Sequence, residues 1–245
     1  MFKKNAILFA VVSLAALCLS AVPVRAAMYD LTTVGASATI NGAYFIEASA
    51  ASTGTGVIQS FVRIQASGDE EGYNTDARPL EFDENSSATF THSLLLNSVP
   101  IVNLGGTDYR EFLLDINQTH NNPLLSLDKI EIYQASAGNL TGYPALGTKI
   151  YDLDTGEDNW IKLDYSLNSG SGSGDMFAYI PSSLFDGDYV YLYSKFGTSI
   201  PSNDGFEEWA VRTAAEPPPV VPVPGAVLLG LLGLCAAGLK LRKFA

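Results

Sequence analysis

Cysteine is nearly missing from this chain of 245 residues: there are two, Cys18 and Cys235, both in the terminal segments. No disulfide can staple the stretch between them, so its stability has to come from buried apolar surface. Positive charge is equally scarce. Of 14 Lys and Arg only 8 fall between Met28 and Ala214, against 25 of the 26 Asp and Glu, which leaves that stretch at a net charge of −17. Such a surface repels phosphate backbones, excludes nucleic acid as a partner, and attracts divalent cations. Histidine occurs twice, at His92 and His120, without HExxH spacing or a cysteine partner, so no zinc or 2-His-carboxylate site is encoded locally. There is no G-x-S-x-G elbow, and acids are too numerous for any one pair to single out a glycosidase site. No interior segment sustains a 3.6-residue apolar period, so helices are not expected there.

What the interior does contain is period two. In "WIKLDYSL" (160–167), Ile161, Leu163, Tyr165 and Leu167 share one face, opposite Trp160, Lys162, Asp164 and Ser166. Comparable strands are expected at 43–50, 60–67, 87–96, 110–118, 127–135, 148–154, 188–196 and 207–213. They are separated by turns rich in Gly, Asn, Asp, Ser and Pro. Many short strands with no helices between them predict an all-β fold, an antiparallel β-sandwich with a jelly-roll-like topology among the options. At fewer than 200 residues the interior is expected to form one domain.

The ends read differently. Lys3 and Lys4 precede an apolar stretch from Ala6 to Val22, and Val24-Arg25-Ala26 supplies small residues, the pattern of a signal peptide over 1–26 removed by signal peptidase. After an ectodomain over 27–214, the segment 215–224, "EPPPVVPVP" with its flank, makes a stiff, extended linker. The apolar run Ala226–Leu239 has 14 residues. As a helix it spans about 21 Å, short of a hydrocarbon core of roughly 30 Å. It is thus a short transmembrane helix of marginal length, with Lys240, Arg242 and Lys243 holding its tip inside.

Prolines Pro222 and Pro224 around Val223, an apolar helix over 225–239 and the basic tip Lys240, Arg242 and Lys243 resemble the PEP-CTERM sorting signal of exosortase substrates. Val223 stands where that signal's namesake motif carries Glu. The ectodomain strings "EEGYNTDARP" and "LDYSLNSGSGSGDMFAYIP" also resemble ectodomains of such proteins, which carry no assigned activity. The resemblance implies export, a transient inner-membrane anchor over 225–245, processing by an exosortase-type enzyme near the prolines, and delivery to the cell surface or an extracellular matrix such as that of a biofilm. It implies nothing about catalysis.

Three features of the ectodomain bear on chemistry. "YDLDTGEDNW" places Asp152, Asp154, Glu157 and Asp158 around Gly156, a set of hard oxygen donors on a tight turn that suits Ca²⁺, although Gly156 and Leu163 break the EF-hand pattern. "DYVYLYSKF" aligns Tyr189, Tyr191 and Tyr193 opposite Val190 and Leu192, and with Trp209 these rings offer a stacking surface for polysaccharide if they face solvent, or ordinary cross-strand pairs if they do not. "NSGSGSGD" (168–175) reads as a flexible functional loop or as a long hairpin connection. The expected protein is a non-catalytic cell-envelope or exopolysaccharide-matrix component. A secreted carbohydrate-active enzyme is the alternative.

Overall fold

A computed structural model describes residues 26–48, 59–170, 172–203 and 205–212. The expected signal peptide apart from Ala26, the expected linker and the expected sorting residues Pro222, Val223, Pro224, Lys240, Arg242 and Lys243 lie outside the described residues. Among those residues no helix is long and apolar enough to cross a membrane.

The strands are β1 (Ala26–Asp30), β2 (Ser37–Ile40), β3 (Ala43–Glu47), β4 (Ser60–Ile64), β5 (Ser67–Gly68), β6 (Glu70–Tyr73), β7 (Leu94–Leu95) and β8 (Ile101–Leu104). They continue with β9 (Thr107–Asp115), β10 (Leu124–Ala135), β11 (Thr148–Asp152), β12 (Asp158–Asp164), β13 (Met176–Pro181), β14 (Tyr189–Phe196), β15 (Ser202–Asn203) and β16 (Glu207–Ala210). One sheet runs β1-β12-β10-β14-β6, with β11 beside β10 and β7 beside β14. The other runs β2-β3-β13-β9-β16-β4, with β8 beside β9, while β5 and β15 form a two-stranded patch. The fold is all-β and its sheets are antiparallel, with one correction: β1 pairs with β12 in parallel. No hairpin joins those two strands, so no tight turn imposes the antiparallel direction on that edge.

Phe45, Phe61, Phe112 and Trp209 from one sheet meet Leu127, Ile132, Leu192 and Phe196 from the other in a single core, and each is at most 1% exposed. The two-layer, sandwich-like arrangement follows from these inward faces. Each sheet's outer face carries a smaller apolar cluster as well: Phe177, Tyr179, Leu113 and Ile46 on one, Tyr73, Tyr133, Tyr191 and Tyr193 on the other. That outer packing explains β13, "MFAYIP", which period two does not announce. Met176, Ala178 and Ile180 face the core while Phe177 and Tyr179 lie under the outer cluster, so no polar alternation is left to read.

Two expected strands are corrected. The stretch 87–96 is mostly turn, because Ser87 gathers the amides of Phe90 and Thr91 on its carbonyl and that of Thr89 on its hydroxyl, leaving only Leu94 and Leu95 extended. "WIKLDYSL" ends as a strand at Asp164, whose carboxylate accepts both the amide (2.9 Å) and the hydroxyl (2.6 Å) of Ser166, and Tyr165–Leu167 turns into a 3-10 helix.

Candidate functional site

The alternation in β14 is as the sequence indicates, with the tyrosines on one face and Val190 and Leu192 on the other, but the tyrosine face is not open. Phe82, Leu140, Tyr143 and Leu146, from the long connections that follow β6 and β10, cover it. Tyr191 is 1% exposed; its hydroxyl donates to the Ala137 carbonyl at 2.6 Å and accepts the Leu140 amide at 3.0 Å. Tyr193 is 2% exposed, stacks on Tyr143 with 3.9 Å between ring centroids, and donates its hydroxyl to the Glu71 carboxylate. Burial, then the Glu71 carboxylate, holds the Tyr193 phenol well above its ordinary titration range. Trp209 is fully buried in the core, with its indole N–H on Ser194 Oγ at 3.0 Å. An exposed row of Tyr191, Tyr193 and Trp209 is thereby corrected: aromatic side chains in the covering connections seal the sheet.

The carboxylates of the acidic loop have different surroundings. Asp152 uses one oxygen on the Asp154 amide (2.9 Å) and the other on Lys149 Nζ (2.6 Å), while Asp154 accepts the Asn159 amide at 3.1 Å. Burial pushes the Asp154 carboxyl up to about 6, against the pull of that amide and of Lys129. Glu157 and Asp158 are exposed. Among the described residues no three acids, histidines or cysteines converge into a set that would hold a metal. One oxygen each of Asp152 and Asp154 caps the turn, which is the role Asp and Asn play in turns generally, while Glu157 and Asp158 stay exposed. Chelation with EDTA is accordingly expected to leave the melting midpoint unchanged; a calcium-dependent rise in the midpoint would contradict that geometry.

Tyr189 is the exception among the four aromatics. It opens β14, pairs with Leu95 on β7 and Ala135 on β10, and remains half-buried. Two adjoining hollows, of about 300 and 420 Å³, meet at Tyr189 and Leu95. The first is lined by Phe61, His92, Ser93, Leu94 and Val211, the second by Leu96, Asn97, Arg110 and Asp188. Leu95 is 43% exposed, unusual for a leucine beside a core.

The walls are fixed. Asp76 accepts the amide (2.9 Å) and hydroxyl (2.8 Å) of Ser93. Although burial opposes ionisation of Asp76, those two bonds with His92 and Arg78 nearby outweigh it and lower its carboxyl. The ring of His92 places Nδ1 2.8 Å from the Ser93 carbonyl, an acceptor only, so Nδ1 carries a proton. Arg110 donates from Nη1 to the Val99 and Leu96 carbonyls at 2.6 and 3.2 Å, tying the 3-10 turn Leu96–Ser98 to β9. Gln134 accepts the amides of Asp186 and Gly187, each at 2.9 Å, and fixes the turn that presents Asp188. Gly138 is needed at the back: a Cβ there would stand 2.7 Å from the Tyr189 ring and 2.6 Å from Ser93.

No family model, curated protein or solved structure matches this chain. The cleft is therefore read from its own chemistry: an aromatic ring and an exposed leucine as an apolar platform, flanked by an imidazole, a guanidinium, a carboxylate and an amide. Of the residues singled out in sequence only Tyr189 falls in it. Leu95, His92, Arg110 and Asp188 gave no local signal, since the fold gathers them from three separate segments.

Proposed function

We propose that the domain is a non-catalytic component of the cell envelope or of an extracellular polysaccharide matrix, and that it holds polysaccharide in the cleft around Tyr189. The observation that carries this reading is the pairing of a partly exposed tyrosine and leucine with convergent polar groups at one open site. Sugar rings present apolar C–H faces rimmed by hydroxyls, and such a wall matches both parts. A net charge of −17 over 28–214, from 8 basic and 25 acidic residues, favours a neutral glycan and a soluble, exported domain. The terminal segments support the delivery route: a signal peptide for export, a helix of marginal length for a transient stop in the inner membrane, and a PEP-CTERM-like tail for an exosortase-type enzyme.

Binding of the purified protein to a glycan array and to the producer's own exopolysaccharide tests the proposal. Tyr189→Ala is expected to weaken binding about tenfold, the loss of one ring stack worth roughly 1.4 kcal/mol. Tyr191→Ala, by contrast, is expected to lower stability first, because its ring is buried. Sugar release from the same polymer would overturn the non-catalytic reading in favour of a secreted carbohydrate-active enzyme. Recovery of the exported protein with residues 225–245 still attached would overturn the processing route.

A further inference from the structure

The chain leaves its sheet at the rim of one of the two hollows. β16 runs antiparallel to β9, with Ala210 opposite Leu113. Further along the same flank of β9 lies β8, where Ile101 stands opposite Arg110 and the Pro100 carbonyl accepts the Glu111 amide at 3.1 Å. β13 holds the other flank. A strand carried past Arg212 would therefore collide with β8, so the backbone has to turn out of the sheet at that point. Arg212 closes the outer side, its guanidinium on Glu111 and 4.9 Å from the centre of the Phe177 ring. Val211 packs against the core and walls the smaller hollow.

That hollow, about 300 Å³, is near the lower limit of small-molecule sites. Leu94, Leu95, Tyr189 and Val211 give it an apolar lining, and Gln59 and Ser98, both exposed, supply N–H and O–H donors. The sequence brings a matching segment within reach. After Arg212, Thr213-Ala214-Ala215-Glu216 lead into Pro217-Pro218-Pro219. The five steps from Arg212 to Pro217 span at most about 18 Å, and the wall of the hollow is Arg212's own neighbour. A run of three prolines favours polyproline II, a preformed shape that has no N–H groups to satisfy, presents its carbonyls as acceptors and offers its rings as apolar surface. Grooves walled by aromatic side chains take such segments.

We propose that Pro217–Pro219 seat in this hollow. Their rings lie against Leu94, Leu95 and Tyr189, and their carbonyls turn toward the Gln59 carboxamide and the Ser98 hydroxyl, which otherwise has only Asn97 Oδ1 at 3.4 Å. The occupant is tethered to the wall itself. Short tethers set effective concentrations in the millimolar range, so a contact too weak to hold a free peptide keeps the segment in place. Rigidity helps further, because prolines surrender little conformational freedom on docking. The seat covers part of Leu95, whose 43% exposure is at odds with a position beside the core. A second copy of the domain is the poorer occupant, since the outgoing chain crosses its approach. Val220–Pro224 continue past the hollow, so Pro222 and Pro224 stay reachable for a processing enzyme. Tyr189 and Leu95 keep their other sides toward the larger hollow, and the seat is the same whether or not a polymer fills that one.

Photo-crosslinking in the full chain tests the seat. Ser98 is exposed on the rim, so Ser98→p-benzoylphenylalanine places a reactive ketone there without touching the core. After irradiation, tryptic digestion and mass spectrometry, the expected product joins the peptide carrying position 98 to the peptide that begins at Thr213. The same group at Val34, which lines neither hollow, is expected to leave that peptide free. Pro217→Ala, Pro218→Ala and Pro219→Ala together keep the tether length and are expected to lower the joined yield severalfold. An equal yield in that triple variant would mean that the tether alone brings the segment near, and would overturn the proposal. So would the absence of the joined peptide, a hexose-mass adduct at position 98 in its place, or, in a mixture of isotope-labelled and unlabelled chains, joining between two copies.

Discussion

Trp209→Ala is expected to cost about 3–5 kcal/mol, a large share of the roughly 5–15 kcal/mol that holds a domain together. Trp209 sits on β16, an interior strand next to the edge of its sheet, in register with Val62 on β4 and Leu114 on β9, and is fully buried. Its indole N–H crosses the core to Ser194 on β14 of the opposite sheet, at 3.0 Å. Truncation opens a cavity between the layers and removes the donor to a hydroxyl that is itself fully buried. Trp209→Phe keeps most of the apolar volume and is expected to lose far less, about 1–2 kcal/mol. Urea unfolding followed by far-UV circular dichroism measures both. A shift of the midpoint for Trp209→Ala no larger than that for Trp209→Phe would show that the ring's volume is not what joins the sheets.

Melting temperature is expected to rise, not fall, on mild acidification from pH 8 to pH 5. Burial pushes the carboxyls of Asp115 and Asp154 up to about 6, and it raises Glu70, Glu84, Asp175 and Glu207 as well. Asp175 illustrates the cause: it is 4% exposed, one of its oxygens has no hydrogen-bond partner among the described residues, and Asp115 and Glu47 add like charge. A raised carboxyl holds a proton in the folded state that the unfolded chain has already released. Its contribution is therefore complete below the ordinary carboxylate range near pH 4 and is lost as pH rises through the folded value, by about 1.4 kcal/mol per pH unit for each proton. The carboxyls of Asp30, Asp76, Glu81 and Glu131 are lowered and act oppositely, but their contributions are lost only on further acidification through and below that range. Between pH 5 and 8 the raised group dominates, and two protons alone amount to several kcal/mol, or roughly 10 °C in a domain of this size. Asp175→Asn is expected to flatten the profile. A midpoint that climbs steadily from pH 5 to 8 would refute the sign.

Much of the architecture was legible because half-buried strands advertise themselves. β12 alternates cleanly, and the opposition of Tyr189, Tyr191 and Tyr193 to Val190 and Leu192 in β14 is as the sequence indicates. What it could not indicate was which of the two faces met water. That depends on Phe82 and Tyr143, which stand in turn-rich connections without periodicity and are brought over the sheet by contacts distant in sequence. β13 was obscured for the same reason, being covered on both sides. The cleft was illegible apart from Tyr189, because His92, Arg110 and Asp188 acquire meaning only when β7, β9 and β14 converge. The acidic loop was legible as a turn, and the carboxylates of Asp152 and Asp154 serve that turn.

The position of β16 also has a mechanical meaning. It is the last described strand, yet it lies inside its sheet, hydrogen-bonded to β9 on one flank and β4 on the other. Just past it, Arg212 forks onto Glu111 with two contacts of 2.5 Å. Tension applied at this end of the domain thus loads two ladders and a buried ion pair at once, where an edge strand would peel away one bond at a time. Val211, beside that point, is also a wall of the cleft. A pull between a held polymer and the chain's C-terminal side would run along this short path, leaving most of the sandwich unstressed.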